Sequence, residues 1–193
     1  MPVKIMSMTE RTSRQIIDYE KIRSIRVKLE KDIDRKKEKA QVDRVVTVKL
    51  LENFHKEAKI RNFTVYSDEP EVIGGSNKAP RPTELQLTSL ACCLQSILAI
   101  YASSMRISID SLEMTLRGLR DNRGILGMSK EARVGFYKIE IETRIESKEP
   151  LEKIDKLLEV VAEHCPVTDM LTNPVPITNE VVLNGEKVSA GKS

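Results

Sequence analysis

Two of the three cysteines, Cys93 and Cys165, are the residues best suited to chemistry, because thiols attack electrophiles and form reversible disulfides. Cys165 continues an apolar stripe of Ile154, Leu158 and Val161 by one further step of four, so it faces the core side of its predicted helix. Cys93 lies midway along a second, apolar helix that should pack on that side. Two thiols on packed helices could approach each other as a redox pair, although inert buried cysteines are also common.

A metal site is the second chemistry that cysteines allow. Its ligands would be Cys92, Cys93, Cys165 and His164. Adjacent cysteines diverge by about 100° around a helix, and no C-x-x-C spacing is present, so zinc is disfavoured. His164 also fits a helix end, where a partial positive charge is favourable. Ser-His-Asp hydrolysis lacks a nucleophile elbow, and we expect neither a metal nor an organic cofactor.

Composition limits the other function classes. The 193 residues are 40% hydrophobic and 32% charged, which is typical of a soluble protein, and the net charge of +3 predicts no general attraction to nucleic acid or membrane. Few aromatic residues argue against a base-stacking surface. Residues 1–20 lack a secretory apolar core, and the stretch from Leu90 to Ala102 is too short to span a bilayer. Three cysteines then indicate a reducing, cytoplasmic location.

The remaining patterns predict an α+β domain at residues 43–193, in the order ββ-α-ββ-α-β with an antiparallel sheet and a buried central helix. The predicted strands are Val45–Leu51, Lys59–Tyr66, Ser108–Gly118, Arg133–Ser147 and Val175–Leu183. The first two should form a hairpin across residues 53–58. Pro82 begins the central helix, which runs to about Ser104, and Pro150 begins the helix that Pro166 stops or restarts.

Residues 1–42 form an N-terminal extension with helical periodicity from Thr12 to Gln41. Its narrow apolar stripe consists of Tyr19, Ile22, Ile25, Leu29 and Ile33. Such a helix has no core of its own, so it must dock on something or stay mobile, and a partner subunit is one candidate. The basic cluster at residues 35–39 fits a solvated helix face better than a nucleic-acid site.

Three motifs add a family resemblance. Pro82-Thr83-Glu84-Leu85 is followed by Cys93 nine residues after the glutamate, Asp68-Glu69-Pro70 precedes Gly74-Gly75, and Cys165-Pro166-Val167 closes the series. The first motif resembles the P-x-E-L start of the central helix of the OsmC/Ohr family, which leads to the reactive cysteine. The second resembles a D-E-P…G-G stretch of that family, and the third resembles its second-cysteine motif. The resemblance covers about Val45 to Leu183 and leaves the N-terminal extension outside.

The resemblance implies a homodimer with interwoven subunits and two interfacial active sites. It implies a thiol peroxidase that reduces organic hydroperoxides, and hydrogen peroxide more weakly, without a cofactor. Cys93 would be the peroxidatic cysteine and Cys165 the resolving one, while Cys92 matches a small packing residue. The resemblance also suggests that an external dithiol of the lipoyl type then reduces the disulfide.

The attacking sulfur must be a thiolate, and a free cysteine is only about 3% ionised at pH 7. Lowering its pKa to about 6 requires roughly 3.4 kcal/mol of preferential stabilisation. Cys93 lies about 16 Å beyond Pro82, too far for the helix dipole, so a cation must supply the effect. In the Ohr branch this cation is an arginine held by a glutamate, which implies Arg61 and Glu84 here, with Arg81 as an alternative. Glu84 equally fits a structural first-turn carboxylate.

A second hypothesis is an OsmC-like dimer without peroxidase activity, serving as a binding or scaffold module through its N-terminal extension. It is favoured by a departure from the Ohr branch, in which the glutamate directly follows the proline. Here Thr83 occupies that place and Glu84 comes one residue later. The presence of both cysteine motifs argues against it.

Overall fold

The computed structural model describes residues 15–188 and confirms an α+β fold with antiparallel sheets. The helices are α1 (Tyr19–Arg35), α2 (Pro82–Met105), α3 (Asn122–Ile125), α4 (Leu151–His164) and α5 (Pro166–Thr172). The strands are β1 (Thr47–Glu52), β2 (His55–Ile60), β3 (Phe63–Ser67), β4 (Ser111–Leu119), β5 (Lys138–Glu146), β6 (Val181–Leu183) and β7 (Glu186–Val188). Short 3-10 helices lie at Lys37–Ala40 and Glu71–Ile73.

Helix α2 is the centre of the core. Pro82 begins it at the first helical position, and Arg106 ends it in the left-handed conformation with φ of 57°. The helix packs against α1, α4, α5 and β4. By length and composition it could also cross a membrane, but a core helix of a soluble protein satisfies the same criteria. The buried core residues are Ile17, Leu90, Leu94, Leu98, Ala102, Ile107, Ile109, Leu157, Val161 and Cys165.

The β4–β5 hairpin covers one side of α2. Leu112, Met114 and Leu116 point toward the core, and Leu112 lies opposite Ile145 on the neighbouring strand. The alternate residues are charged or polar, so this sheet has one apolar and one wet face. The alternation agrees with the sequence-based prediction, although the observed strands are shorter than the predicted ones.

The prediction of one strand at Lys59–Tyr66 was wrong. Two strands, β2 and β3, occupy this region, and β2 begins at His55, where a hairpin loop was expected. Both connections are two-residue turns, and their first residues, Asn53 and Arg61, have φ of 47° and 56°. Tight hairpins require this left-handed backbone. Arginine is not a typical residue for this conformation, so no residue pattern indicated the second turn.

The three-stranded sheet β1–β2–β3 has an apolar face that its own chain leaves uncovered. Val48, Leu50 and Phe63 are 56%, 65% and 54% exposed. The register places Val48 opposite Ala58, and Ala58 opposite Val65, on the same face. Within residues 15–188, no strand of this sheet packs on a helix beyond isolated contacts.

The predicted C-terminal strand Val175–Leu183 was also only partly correct. Residues 174–180 are irregular, and β6 pairs with β7 in a short exposed hairpin around Asn184 and Gly185. Asn184 and Gly185 both have positive φ, as the turn requires.

The N-terminal helix docks on its own chain. Asp18 caps the observed α1, accepting a hydrogen bond from Lys21 N at 3.1 Å, and predicted residues 12–14 lie outside the described residues. Ile17 is buried, and Tyr19 Oη accepts a hydrogen bond from Ile109 N at 2.7 Å. Tyr19 and Ile22 therefore pack on the core, whereas Ile25 and Leu29 remain more than half exposed.

The loop between β3 and α2 is organised by the fully buried carboxylate of Asp68. It accepts hydrogen bonds from the backbone N–H groups of Glu69, Ser76 and Lys78 at 2.8, 3.3 and 3.0 Å. The hydrogen bond from Lys78 N–H is the largest influence on the pKa of Asp68. Together the three bonds outweigh burial, which would raise this pKa, and so they lower it. The loop also folds so tightly that a Cβ on Gly75 would lie 1.8 Å from the Glu69 carbonyl oxygen.

Replacing this carboxylate should destabilise the fold. We expect Asp68→Asn to lower the melting temperature by roughly 5 °C or more, because its NH₂ group would face backbone donors. Since the folded-state pKa of Asp68 is lowered, its stabilisation is present above about pH 4 and is lost as the pH falls through the folded-state pKa. Melting curves between pH 2 and 7 should therefore converge for wild type and variant at the acid end.

Asp121→Asn is the control. The pKa of Asp121 is also lowered, by a side-chain hydrogen bond from Arg123, but this pair lies on the surface. Its replacement should change the melting temperature by less than about 2 °C. An equal loss in both variants would contradict the organising role of Asp68.

Candidate active site

The packing of α2 against α4 brings the predicted cysteine pair together. Cys165 is 1% exposed and belongs to the buried core, and Cys93, which is half-buried, packs against that core. The two thiols are close enough for each to affect the pKa of the other. The contact is the one that the apolar stripe of α4 predicted for two thiols on packed helices.

Pro166 creates the local geometry at Cys165. Proline cannot continue α4 because it lacks an N–H and clashes with the preceding turn, but it is well suited to the first position of a new helix. Cys165 is therefore the last cap of α4 and the first cap of α5, in an extended conformation. The N–H groups of Val167 and Thr168 and the Thr168 hydroxyl lie near the Cys165 sulfur, where they favour its thiolate form.

The two thiols have opposite pKa shifts. Burial is the largest influence on both and acts to raise their pKa values. At Cys93 burial prevails, reinforced by the hydrogen bond with Cys165, and the pKa is raised. At Cys165 the hydrogen bonds from Thr168, Cys93 and Val167 together outweigh burial, and the pKa is lowered. Val167 N–H also contacts the sulfur of Cys93, where it lowers the pKa in part.

Within residues 15–188, Cys93 therefore has the raised pKa and Cys165 the lowered one, and no cation is among the main influences on either thiol. Thr168 and Val167 were not predicted as site residues. The signal that could have revealed them is the proline after Cys165, which starts a new helix whose first N–H groups lack helical partners.

Glu84 does not reach Cys93 within the chain. Nine residues along α2 correspond to about 13.5 Å of rise and a rotation of about 180°, so the two side chains leave opposite faces of the helix. Glu84 Oε2 accepts a hydrogen bond from Arg81 N at 2.9 Å and is exposed. This contact is that of a structural first-turn carboxylate.

Neither arginine is placed beside Cys93 by its own chain. Arg61 lies in the exposed β2–β3 turn, with its guanidinium carbon 5.1 Å from the centre of the Phe63 ring. Arg81 lies before α2, about 18 Å along the helix axis from Cys93, and its Nε is 4.0 Å from Glu69 Oε2. Any role of Arg61 at Cys93 would have to come from a second chain.

Cys92 was expected to be a packing residue, but it is exposed. It lines an open groove of about 410 Å³ between α2 and β4, together with Glu84, Leu87, Thr88, Ala91, Gln95, Met114 and Leu116. The third cysteine thus faces a different surface from the Cys93–Cys165 pair.

The residues of the proposed zinc site are not grouped as ligands. Among the described residues 15–188, no three His, Cys, Asp or Glu side chains are close enough together to hold a metal ion. His164 instead donates a hydrogen bond from its Nδ1–H to Val160 O, at 2.9 Å, in the last turn of α4.

The chain is similar to proteins of one family. The sequence model of the family described as OsmC-like protein matches residues 75–180. No curated protein sequence matches the chain significantly. Among solved structures, an OsmC-like protein from Mycoplasma pneumoniae is 21% identical with a TM-score of 0.61, and the alignment covers 69% of this chain and 90% of that one.

Two further structures carry names related to hydroperoxides. An organic hydroperoxide resistance protein from Legionella pneumophila is 19% identical with a TM-score of 0.52, covering 67% of this chain and 89% of that one. One from Elizabethkingia anophelis is 18% identical with a TM-score of 0.51, covering 69% and 92%. These likenesses establish the fold of the chain.

The geometry of the thiol pair predicts which disulfide forms. A diffusible thiol oxidant such as diamide should join Cys93 to Cys165 and leave Cys92 free, because only the first two thiols are in contact. Peptide mapping by mass spectrometry under non-reducing conditions measures this, and Cys92→Ser should give the same disulfide. A Cys92–Cys93 bridge would contradict the geometry.

Proposed function

The chain belongs to the OsmC-like protein family, and from that premise we propose that it is a thiol-dependent peroxidase that reduces organic hydroperoxides. The observation that carries the proposal is the contact between the Cys93 and Cys165 thiols. It supplies a nucleophile and a second thiol within reach of any oxidised sulfur. The two related structures named as organic hydroperoxide resistance proteins support the choice of substrate class.

The proposed reaction has three steps. The Cys93 thiolate attacks the outer oxygen of the hydroperoxide, an S–O bond forms, and the O–O bond breaks to release an alcohol after protonation. Cys93 is then a sulfenic acid. The sulfur of Cys165 attacks it, a disulfide forms and water leaves. An external dithiol reduces the disulfide by exchange and is itself oxidised.

The assignment of the two roles rests on access. A peroxide must approach the attacking sulfur, and Cys93 is half-buried, whereas Cys165 is almost fully buried. Burial raises the pKa of Cys93, which disfavours the thiolate that must attack the peroxide. A positive charge beside Cys93 is therefore needed to stabilise its thiolate.

We propose that a second copy of the chain supplies this charge and covers the exposed sheet. Residues 15–188 leave the apolar face of β1–β2–β3 uncovered, and an exposed apolar face of this kind is typical of a surface that binds a partner. The groove beside α2, which contains Glu84 and Cys92, is likewise open. In such a dimer Arg61 of one copy would lie near Cys93 of the other.

A non-enzymatic binding module is the second candidate. It is favoured by one observation, that neither Arg61 nor Glu84 is placed at Cys93 within the chain. In that case the thiol pair would be part of the core and would not react rapidly with peroxide.

Peroxide treatment separates the two candidates. One equivalent of cumene hydroperoxide should remove two thiols and yield the Cys93–Cys165 disulfide, faster than hydrogen peroxide does. We expect Cys93→Ser to slow peroxide reduction by about 100-fold or more, since the nucleophile is lost. Cys165→Ser should still consume one equivalent but accumulate sulfenic and sulfinic acid at Cys93.

Cys92→Ser is the matched control, because it changes the neighbouring thiol on another face of α2 and should keep near wild-type rates. Stopped-flow kinetics and intact-mass analysis measure these outcomes. Three unreacted thiols in a folded wild-type protein would exclude the peroxidase and favour the binding module.

The exposed sheet predicts the oligomeric state. Val48→Asp should raise the dimer dissociation constant by about 100-fold or more, because a charge would be buried at the interface. Thr47→Asp, on the opposite face and opposite Lys59, should leave it nearly unchanged. Sedimentation velocity over a concentration series measures both, and a wild-type protein that is monomeric at high concentration would contradict the dimer.

A further inference from the structure

A stack of three side chains connects the N-terminal helix to the end of α4 that carries Cys165. The guanidinium carbon of Arg26 lies 4.6 Å from the centre of the Tyr101 ring, in cation–π geometry. The Tyr101 ring lies 4.9 Å from the ring of His164, at an angle of 52°. His164 directly precedes Cys165.

Each member of the stack is held in place by further contacts. Arg26 Nη1 donates a hydrogen bond to Ser104 Oγ at 2.9 Å, and its Nε lies 2.8 Å from Glu30 Oε1. The ring of His164 is fixed by the bond between its Nδ1 and Val160 O at 2.9 Å. The stack therefore joins α1, α2 and α4 at one place, although α1 has no extensive contact with α4.

The stack lies beside a break in the helical backbone. The backbone between α4 and α5 is interrupted at Cys165, where helical hydrogen bonding ends and restarts. Helix ends open locally more readily than helix centres. Opening here would separate the Cys165 sulfur from Cys93.

We propose that Arg26 and Tyr101 are positioning residues, which hold the His164–Cys165 end of α4 against α2 and so keep the resolving thiol beside Cys93. The N-terminal helix thereby becomes part of the redox site, although it lies outside the family match at residues 75–180. As a role in the second step of the reaction, this inference rests on the proposed peroxidase function.

The first test measures the local opening without any peroxide. In the reduced full-length protein, alkylation of Cys165 by iodoacetamide, followed by peptide mapping, reports how often the end of α4 opens. Arg26→Ala should raise the labelling rate of Cys165 about fivefold, and Arg26→Lys should restore part of the protection because it keeps a cation near the ring. Low concentrations of urea should hardly change this increase, because local opening exposes little additional surface.

Arg23→Ala is the matched control. Arg23 lies on the same helix, pairs with Glu20 as Arg26 pairs with Glu30, and both arginine side chains are 30% exposed. Within residues 15–188, Arg23 makes no hydrogen bond or cation–π contact with Tyr101. Its replacement should leave Cys165 labelling within about twofold of wild type.

The second test follows the resolving step. With an excess of cumene hydroperoxide, Arg26→Ala should lose thiol at Cys93 as fast as wild type does. A second peroxide should then convert about fivefold more of its sulfenic acid to sulfinic acid, with correspondingly less disulfide. Arg23→Ala should partition as wild type does.

The outcomes distinguish the two proposals. If wild type consumes no peroxide, the proposed function fails, while the labelling experiment still decides whether the stack holds Cys165. Unchanged labelling in Arg26→Ala overturns the inference. So does an increase that has the urea dependence of global unfolding, or an equal increase in Arg23→Ala, since α1 would then act only on overall stability.

Discussion

The close approach of the Cys93 and Cys165 thiols is the interaction on which the candidate site depends, and a single proline shapes it. Pro166 ends α4 and starts α5, so the cysteine before it is released from helical geometry and lies beside the unpaired N–H groups of the new helix. A continuous helix would have given the sulfur no such donors. Burial raises the pKa of a thiol, and at Cys165 the influences of Thr168, Cys93 and Val167 together reverse that effect.

The described chain consists of two parts, and the thiol pair lies in one of them. Helix α2, with α1, α4, α5 and the β4–β5 hairpin, forms a packed core, while the sheet β1–β2–β3 stands apart from it. The ordered loop around Asp68 joins the two parts. Two features expected at the active site, Arg61 and Glu84, lie on the separate sheet and on the open side of α2. The positive charge that Cys93 needs and a cover for the apolar sheet face are therefore both missing from residues 15–188.

The sequence predicted what regular periodicity determines. The stripe that ends at Cys165 indicated that its thiol faces the core, and the alternation around Ile139 and Ile145 identified the β4–β5 face. It did not predict the turn at Arg61, because its left-handed backbone is imposed by strand pairing and not by residue type. The docking of α1 was equally inaccessible. It depends on Tyr19 and Ile109, which are 90 residues apart.

The uncovered face of β1–β2–β3 has a consequence for how the protein behaves on dilution. If a second chain covers that face, part of the hydrophobic stabilisation belongs to association and follows mass action. The apparent stability then rises with the total concentration of the chain, and a dilute sample unfolds at a lower temperature than a concentrated one. A cell that made less of this protein would also make it less robust, with no change in its sequence.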